Sequence, residues 1–343
     1  MHAIHDSAGL WTLAWRRLRA DRVAMAALAV VAAFLLLLAA SAAGLVAADW
    51  EEEVAVNYAP PTFAAPRAAP ASPAAPGSAP AATPAAPPAN EFDPLAGDLR
   101  ELRATLGKAV AEPAAERAPT LLFGADKWGH DILRKTIKGG ETSIVVGLAA
   151  ATLAVGLGTL FGAVSGFYGG LVDDFFNWFY NVFTSIPSIL MILTVAAVLQ
   201  QKGVLTIVLI LGLTGWTGPY RLIRAEYIKH KAREYVMAAD AIGASAWRKM
   251  FSHIFPNVSH VALVQVSILV VGFIKAEVIL SFLGFGVPVG VVSWGSMLNE
   301  AQNELILGKW WQLTAAASAM ALLVTAFSLF ADALRDALDP KVK

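Results

Sequence analysis

Residues 233–257 read REYVMAADAIGASAWRKMFSHIFPN and form a charged island between two long apolar stretches. Most residues of the island favour helix, and its charged side chains need contact with water. A polar, helix-prone segment between apolar stretches is typical of a loop that connects membrane-spanning helices. The island therefore predicts a water-exposed segment of a membrane protein, with a surface that meets another molecule.

The composition of the whole chain supports a membrane protein. Of its 343 residues, 57% are hydrophobic and only 15% are charged, whereas about a quarter of the residues in an average soluble protein are charged. A helix of about 20 apolar residues crosses the hydrocarbon core of a bilayer. Six apolar intervals contain no Asp, Glu, Lys or Arg: 23–48, 142–172, 175–201, 203–220, 250–274 and 310–331. We therefore predict an all-α integral membrane protein with six transmembrane helices.

The distribution of positive charge predicts the orientation of these spans. Four arginines precede the first span, which places the N-terminal segment 1–22 in the cytoplasm. Segment 221–249 is also rich in Lys and Arg, whereas the short loops predicted on the opposite side carry only Lys202 and Lys309. Both observations place the N-terminus and the tail 336–343 in the cytoplasm.

Between the first span, 23–48, and the core of five spans, 121–335, lies an extracytoplasmic insert, 49–120. Ten of the 32 residues in 59–90 are proline and most of the others are alanine, which predicts an extended, semi-rigid linker. In 94–111, apolar residues recur at helical spacing between charged ones: Leu95, Leu99, Leu102, Leu106 and Val110. That pattern predicts either an amphipathic helix on the membrane or a partner, or a marginal, frayed helix.

Small and aromatic residues in the spans predict how the helices pack. Gly158, Gly162 and Gly166 share one face of the second span, where they let another helix approach closely. Proline in the third and fourth spans, at 187 and 219, predicts bends. Four tryptophans fall where interfacial aromatic belts are expected: Trp50, Trp294, Trp310 and Trp311.

The sequence lacks the residue patterns of the common enzyme and metal sites. It has no cysteine and no phosphate-binding loop, so we predict no thiol chemistry and no nucleotide hydrolysis by this chain. Asp173 and Asp174 are adjacent and cannot share a proton, which favours a solvated role. Lys275 and Glu277 lie inside the fifth span, where ionisable groups mark a function or a structural pair on another helix. We predict no catalytic residues, no metal site and no cofactor.

The island itself predicts a short helix with one apolar stripe. Over 229–243, Tyr235, Ala238, Ala239 and Ile242 follow helical spacing, and Gly243 ends the helix. A second helical stretch, 245–255, leads to Pro256 and the next span. An alanine-rich face fits a groove on another protein, whereas the alternative is a helix lying flat on lipid.

These residues resemble the Glu-Ala-Ala loop of permease subunits in binding-protein-dependent ABC importers. The chain is most similar to the second permease of the dipeptide, oligopeptide and nickel class. Ala238, Ala239 and Gly243 match the motif, and residues 253–257 close it; Met237 stands at the position of the motif's Glu, and Glu234 lies one turn earlier.

Further matches to the family occur in order along the chain. They are FGADKWGHD at 123–131, with His130 in place of the usual Arg, GFYGG at 166–170, SFLGFG at 281–286, SWG at 293–295 and LRDALDP at 334–340. The resemblance covers about 120–343 and the first span, whereas the insert has no counterpart in the family pattern.

The resemblance implies a type I importer-like permease in a bacterial inner membrane, whose partners are a homologous second permease, two cytoplasmic ABC ATPases and an extracytoplasmic solute-binding protein. It also implies contact with membrane lipid and none with nucleic acid. The residues that it assigns to ATPase coupling are Glu234, Ala238, Ala239, Asp240, Gly243 and Pro256. Three rivals are a stand-alone secondary transporter, which predicts an inverted repeat, an intramembrane enzyme, for which Lys275 and Glu277 are the candidate residues, and a membrane scaffold that acts through its insert.

Overall fold

The computed structural model describes residues 10–64, 117–288 and 290–338, and these are helical apart from connecting turns and four isolated β-bridges. The helices are α1 (Leu10–Ala20), α2 (Arg22–Ala42), α3 (Ile132–Tyr168), α4 (Gly170–Thr184), α5 (Ser188–Leu199), α6 (Val204–Thr214), α7 (Thr217–Lys231), α8 (Glu234–Ala241), α9 (Ala246–Arg248), α10 (Phe255–Phe282), α11 (Trp294–Ile306) and α12 (Trp311–Leu338). A π-helical turn, Lys249–Ile254, joins α9 to α10. The predicted all-α class is confirmed.

Within the described residues, four helical segments are long and apolar enough to span a membrane: α2, α3, α12 and the continuous segment Ala246–Phe282. The pair α4 and α5 adds a fifth span if it counts as one, although the two helices are bent by 82°. The predicted fourth span is divided between α6, of 11 residues, and α7. The six-span count therefore remains a prediction.

Two prolines that predict bends lie at different places relative to a helix break. Pro187 lies directly before α5, at the break between α4 and α5, where its missing N–H prevents a continuous helix. Pro219 lies in the first turn of α7, a position that proline tolerates. The helix is interrupted before it, at Gly215 and Trp216. Gly215 is the residue whose carbonyl would accept a hydrogen bond from an N–H at 219, so a helix break accompanies Pro219 as well.

The longest helix, α3, connects the two ends of the molecule. At one end the Trp294 indole of α11 donates a hydrogen bond to the Thr136 carbonyl, at 3.0 Å. At the other end Phe167 belongs to the same apolar cluster as Val236 of α8. We call these the α11 end and the α8 end.

Glycines bring α3 and α7 into backbone contact. A Cβ atom built on Gly158 would lie 2.7 Å from the Trp216 carbonyl oxygen. At Gly162 it would lie 2.8 Å from the Tyr220 carbonyl oxygen, and Gly166 is equally close to α7. These distances leave no room for a side chain, so the small face of α3 determines how closely α7 packs.

At the α11 end, the two flanks of the predicted insert pair with each other. Ala55 forms a bridge with Ala118, and Pro61 forms one with Leu121. Ala59 is fully buried in this arrangement. The packed flank therefore reaches Pro61, within the predicted linker, whose bounds stay a prediction. Most of the linker and the predicted helix 94–111 lie outside the described residues.

The two ends of the described chain meet at the α8 end. The Arg17 guanidinium of α1 contacts the Ala337 carbonyl of α12, at 3.5 Å. Asp21 then separates α1 from α2, because its side chain accepts a hydrogen bond from the Val23 amide, at 2.8 Å. α12 continues to Leu338, into the predicted tail 336–343, whose bounds stay a prediction.

Two of the tryptophans expected in an aromatic belt are instead buried. Trp294 packs inside the helix bundle, and the Trp311 indole donates to the Ala125 carbonyl, at 2.7 Å. Their N–H groups are satisfied by backbone carbonyls rather than by the membrane interface, so the belt assignment is wrong for both. Trp310 remains partly exposed.

Candidate functional site: the α8 surface

The helix predicted over 229–243 is divided in the structure. α7 continues to Lys231, Arg233 has an extended backbone, and α8 begins at Glu234. Gly243 ends this segment with a φ of +76°, a conformation that glycine adopts without strain. The Gly243 N–H donates a hydrogen bond to the Asp240 carbonyl, at 2.9 Å, and the Ala244 N–H donates one to the Ala239 carbonyl, at 3.0 Å. This pair of bonds is a Schellman cap, which gives α8 a defined end.

One face of α8 is buried and the other is exposed. Val236 and Ala239 pack inward, in the part of the molecule where Tyr227 and Met250 are also buried. Ala239 is only 4% exposed, so the prediction of a four-residue exposed stripe is wrong at this position. Ala239 supports α8 from inside and leaves Ala238 on the exposed side.

The exposed side of α8 and α9 is largely apolar. It is formed by Met237, Ala238, Ile242 and Trp247, which we call the α8 surface. Ile242 is 84% exposed. Large apolar side chains that lie together in water mark a contact surface.

Charged and polar groups hold α8 to its neighbours. The Lys249 ammonium of the π-helical turn donates to the Asp240 carboxylate, at 2.5 Å, and His230 of α7 lies 2.8 Å from the Tyr235 hydroxyl. Burial lowers the pKa of His230 below its usual value, although the Glu226 carboxylate opposes that shift. Glu234 is exposed in the first turn, where a negative charge is favourable to the helix dipole.

The connection from α8 to α10 passes through the π-helical turn. The Met250 carbonyl accepts two hydrogen bonds, one from the Phe255 amide and one from the buried Tyr227 hydroxyl, the latter at 3.1 Å. Pro256, which has no N–H, is the second residue of α10, and the helix runs through it without a break. Trp247 of the α8 surface is therefore joined to α10 by continuous helix, and the π-helical turn between them is held to α7 by Tyr227.

The two ionisable residues of the fifth span have different surroundings. Glu277 is fully buried and accepts hydrogen bonds from the Ser143 and Ser281 hydroxyls, at 2.6 and 2.7 Å. The Ser143 hydroxyl oxygen also accepts a hydrogen bond from the Trp294 backbone amide, at 3.2 Å. These contacts connect α10, α3 and α11. Lys275 is exposed and faces away from this network.

Asp173 was predicted to be solvated, but it forms an ion pair. Its two carboxylate oxygens accept hydrogen bonds from the Arg224 guanidinium, each at 2.5 Å, and Ser165 also contacts it. The bidentate pair joins α4 to α7. The sequence did not show this partner because Arg224 lies 51 residues away.

Comparison with known proteins places this arrangement in a family. Residues 158–343 match the family described as binding-protein-dependent transport system inner membrane component, and residues 9–61 match the N-terminal TM domain of oligopeptide transport permease C. The first match covers more than half of the chain. The chain belongs to this family. It is thus a permease subunit of an ABC importer and a multi-pass inner-membrane protein, and it is not itself an enzyme.

Curated relatives of the permease agree with this assignment. The oligopeptide transport system permease protein OppC of Bacillus subtilis is 37% identical over 221 residues, which cover 64% of this chain and 72% of the relative. The dipeptide transport system permease protein DppC of the same organism is 35% identical over 242 residues, which cover 71% of this chain and 74% of the relative. OppC of Haemophilus influenzae is 34% identical over 228 residues, covering 65% and 73%.

The permease also contains a polar cluster that sequence reasoning missed. At the α11 end, the buried Lys135 ammonium donates to Asp126 at 2.7 Å and to Glu300 at 2.6 Å. The Gln312 amide nitrogen donates to the same Glu300 oxygen, at 3.2 Å. Burial acts to raise the pKa of Asp126, but Lys135 and the His130 hydrogen bonds outweigh it and hold that pKa below its usual value. The one available signal was a lysine among the charged residues 134–141, directly before an apolar interval.

Glu304 adds a third acid to this cluster without a matching partner. It is only 2% exposed, and neither carboxylate oxygen has a hydrogen-bond partner among the described residues. Burial raises its pKa to about 7, against the attraction of Lys135 and with repulsion from Asp126 and Glu300. Glu304 therefore exchanges its proton near neutral pH.

We expect Glu304→Gln to stabilise the permease most at alkaline pH. The folded protein keeps the Glu304 proton up to about pH 7, whereas the unfolded chain loses it near 4.5, so wild-type stability is lost as the pH rises between these values. A shift of this size corresponds to about 3 kcal/mol. The difference in thermal unfolding temperature between variant and wild type should therefore grow from pH 4.5 to 8. Glu52→Gln, an exposed control, should show no such growth; a pH-independent difference for Glu304→Gln would contradict the prediction.

Proposed function

We propose that this permease forms half of the translocation pathway of an importer for peptides or related small solutes, and that its α8 surface couples the pathway to ATP hydrolysis in separate subunits. The observation that carries the proposal is the exposed apolar surface on a short helix that is fixed to two longer ones. The names of the curated relatives, oligopeptide and dipeptide transport permeases, support the substrate class.

The proposed complex contains a homologous second permease, two cytoplasmic ATPases and an extracytoplasmic binding protein. The predicted six spans, together with the positive charges of 221–249, support a cytoplasmic position for both termini and the α8 end. The α11 end, with its polar cluster, then faces the binding protein. ATP binding and the loaded binding protein each favour one of two arrangements of the spans, and their difference in affinity drives the exchange.

The contacts of α8 explain how force would reach the spans. Ala238 and Ile242 contact the ATPase, with Glu234 and Asp240 at the margin of the contact. Ala239 and the Gly243 cap keep α8 in a fixed orientation, and Pro256 begins the helix that receives the motion. Because Tyr227 also contacts the π-helical turn, a displacement of α8 moves α7 and α10 together.

We expect Ile242→Asp to detach the ATPase subunits from the permease. Ile242 makes little contact within the chain, so a charge there leaves folding intact but places an unpaired carboxylate in a desolvated interface. The amount of ATPase that co-purifies with the permease should fall at least tenfold, and ATP-driven peptide uptake into proteoliposomes should fall with it.

Ile306→Asp is the matched control. Ile306 is 83% exposed, close to the value for Ile242, but it lies at the α11 end. This variant should keep its ATPase subunits. Equal ATPase recovery with Ile242→Asp and wild type, together with normal uptake, would refute the proposed role of the α8 surface.

A further inference from the structure

An apolar cavity of about 310 Å³ lies between α2, α3 and α12. Its lining residues include Phe34, Leu38, Ile144, Ala319 and Leu322. Because most of its wall is apolar, it offers water few hydrogen-bond partners. The occupant of this cavity is therefore expected to be apolar.

The position of the cavity along α3 relates it to the membrane. The charged residues at the start of α3 end at Glu141, and the uncharged interval 142–172 follows. The cavity is lined on both sides of this boundary, by Thr136 and Glu141 on one side and by Ile144 on the other. It therefore spans the level at which lipid headgroups meet acyl chains.

Polar groups of both signs lie at the charged end of the cavity. The Glu141 carboxylate accepts a hydrogen bond from Ser41, at 2.6 Å, and one from the Lys138 ammonium, at 2.8 Å. Both Glu141 and Lys138 are partly exposed, so each can contact a further group. A zwitterionic headgroup provides a phosphate for the lysine and an ammonium for the carboxylate.

We propose that this cavity is a phospholipid-binding site, with an acyl chain between α2, α3 and α12 and a zwitterionic headgroup against Lys138 and Glu141. The apolar walls match the chain, and the neighbouring acid and base match the two charges of the headgroup. A lipid bound in this position fills a gap between the first span and the core of the permease. It thereby supports the packing of α2, which contacts both α3 and α12.

Native mass spectrometry of the full chain, purified from membranes in mild detergent, tests the site. The wild type should retain one phosphatidylethanolamine through a wash that removes loosely bound lipid. Ala319→Phe fills the cavity and should reduce this occupancy at least tenfold. Ala321→Phe makes the same change on an exposed part of α12 away from the cavity, and should leave the occupancy unchanged.

A second variant tests the headgroup without filling the cavity. Adding phosphatidylethanolamine or phosphatidylglycerol to delipidated protein compares a headgroup that has an ammonium with one that lacks it. Wild type should prefer phosphatidylethanolamine, and Glu141→Gln should lose this preference several-fold.

Three results would overturn the proposal. The first is equal phospholipid occupancy in Ala319→Phe and Ala321→Phe. The second is a phospholipid that binds only after removal of residues 65–116, which would mean that this segment fills the cavity in the intact chain. The third is binding that disappears when the second permease is present, which would make the cavity a protein interface.

Discussion

Lys135→Met is expected to leave little folded permease in the membrane. Lys135 is only 3% exposed, and its ammonium is the cation that holds Asp126 and Glu300 together at the α11 end. Methionine has a similar length but no charge, so Asp126 would remain buried without its partner. Breaking a buried ion pair in this way costs about 3–5 kcal/mol, a large part of the roughly 5–15 kcal/mol by which a typical protein is stable. The measurement is the yield of monodisperse protein after detergent extraction and its apparent unfolding temperature.

Lys138→Met is the control for this variant. Lys138 lies one turn further along α3 and its side chain is 30% exposed, so water can solvate Glu141 when the ammonium is removed. This variant should be recovered at nearly the wild-type level. Combining Lys135→Met with Asp126→Asn removes the buried charge as well and should restore part of the yield. Wild-type stability of Lys135→Met alone would show that the cluster does not hold the α11 end together.

The sequence predicted those features that depend on neighbouring residues. Runs without charge marked the apolar helices, and Gly243 marked the end of α8, because span length and helix caps are local properties. The exposed residues Ala238 and Ile242 also follow from helical spacing. The resemblance to a permease family was confirmed by the comparisons, since it rested on several motifs in a fixed order.

Contacts between distant segments could not be predicted in this way. Lys135 contacts Glu300, which lies 165 residues away in the sequence. The Trp311 indole contacts the Ala125 carbonyl, which lies 186 residues away. Nothing in the spacing of either segment indicates its partner. The assignment of Trp294 and Trp311 to an aromatic belt failed for the same reason, because composition places tryptophan near an interface but does not show whether it faces lipid or protein.

For other residues, the position relative to the end of a helix decided how far the prediction agreed with the structure. Pro187 and Pro219 are the same residue type in similar apolar surroundings, and each accompanies an interruption of the helix. Pro187 lies in the interruption itself, whereas Pro219 lies just after one, in a first turn where no backbone donor is required. Ala239 and Ala238 are adjacent and chemically identical, but the direction in which α8 leaves α7 buries only Ala239. A periodic pattern identifies a face, whereas the tertiary fold decides which side of it is covered.

Gly162→Leu is expected to separate α3 from α7 and prevent correct folding. A Cβ at this position would lie 2.8 Å from the Tyr220 carbonyl oxygen and 2.9 Å from the Arg224 amide nitrogen, and backbone atoms cannot move aside as a flexible side chain can. The shift would also strain the Arg224–Asp173 ion pair that joins α7 to α4. We expect a loss of more than about 3 kcal/mol, at the upper end of overpacking effects. The measurement is the fraction of membrane-inserted chain that survives detergent extraction as a monodisperse species.

Gly156→Leu distinguishes this steric effect from a general intolerance of α3 to leucine. Gly156 lies less than two turns before Gly162 on the same helix, and a Cβ there meets no atom within 4 Å among the described residues. Leucine also favours helix over glycine by roughly 0.5–1 kcal/mol, so Gly156→Leu should be as stable as wild type or slightly more stable. Gly162→Ala should fall between the two leucine variants, since even a methyl group requires α7 to move. If Gly162→Leu and Gly156→Leu are recovered equally, close backbone packing of α3 on α7 is not what holds these helices together, because the two changes differ only in what each side chain meets.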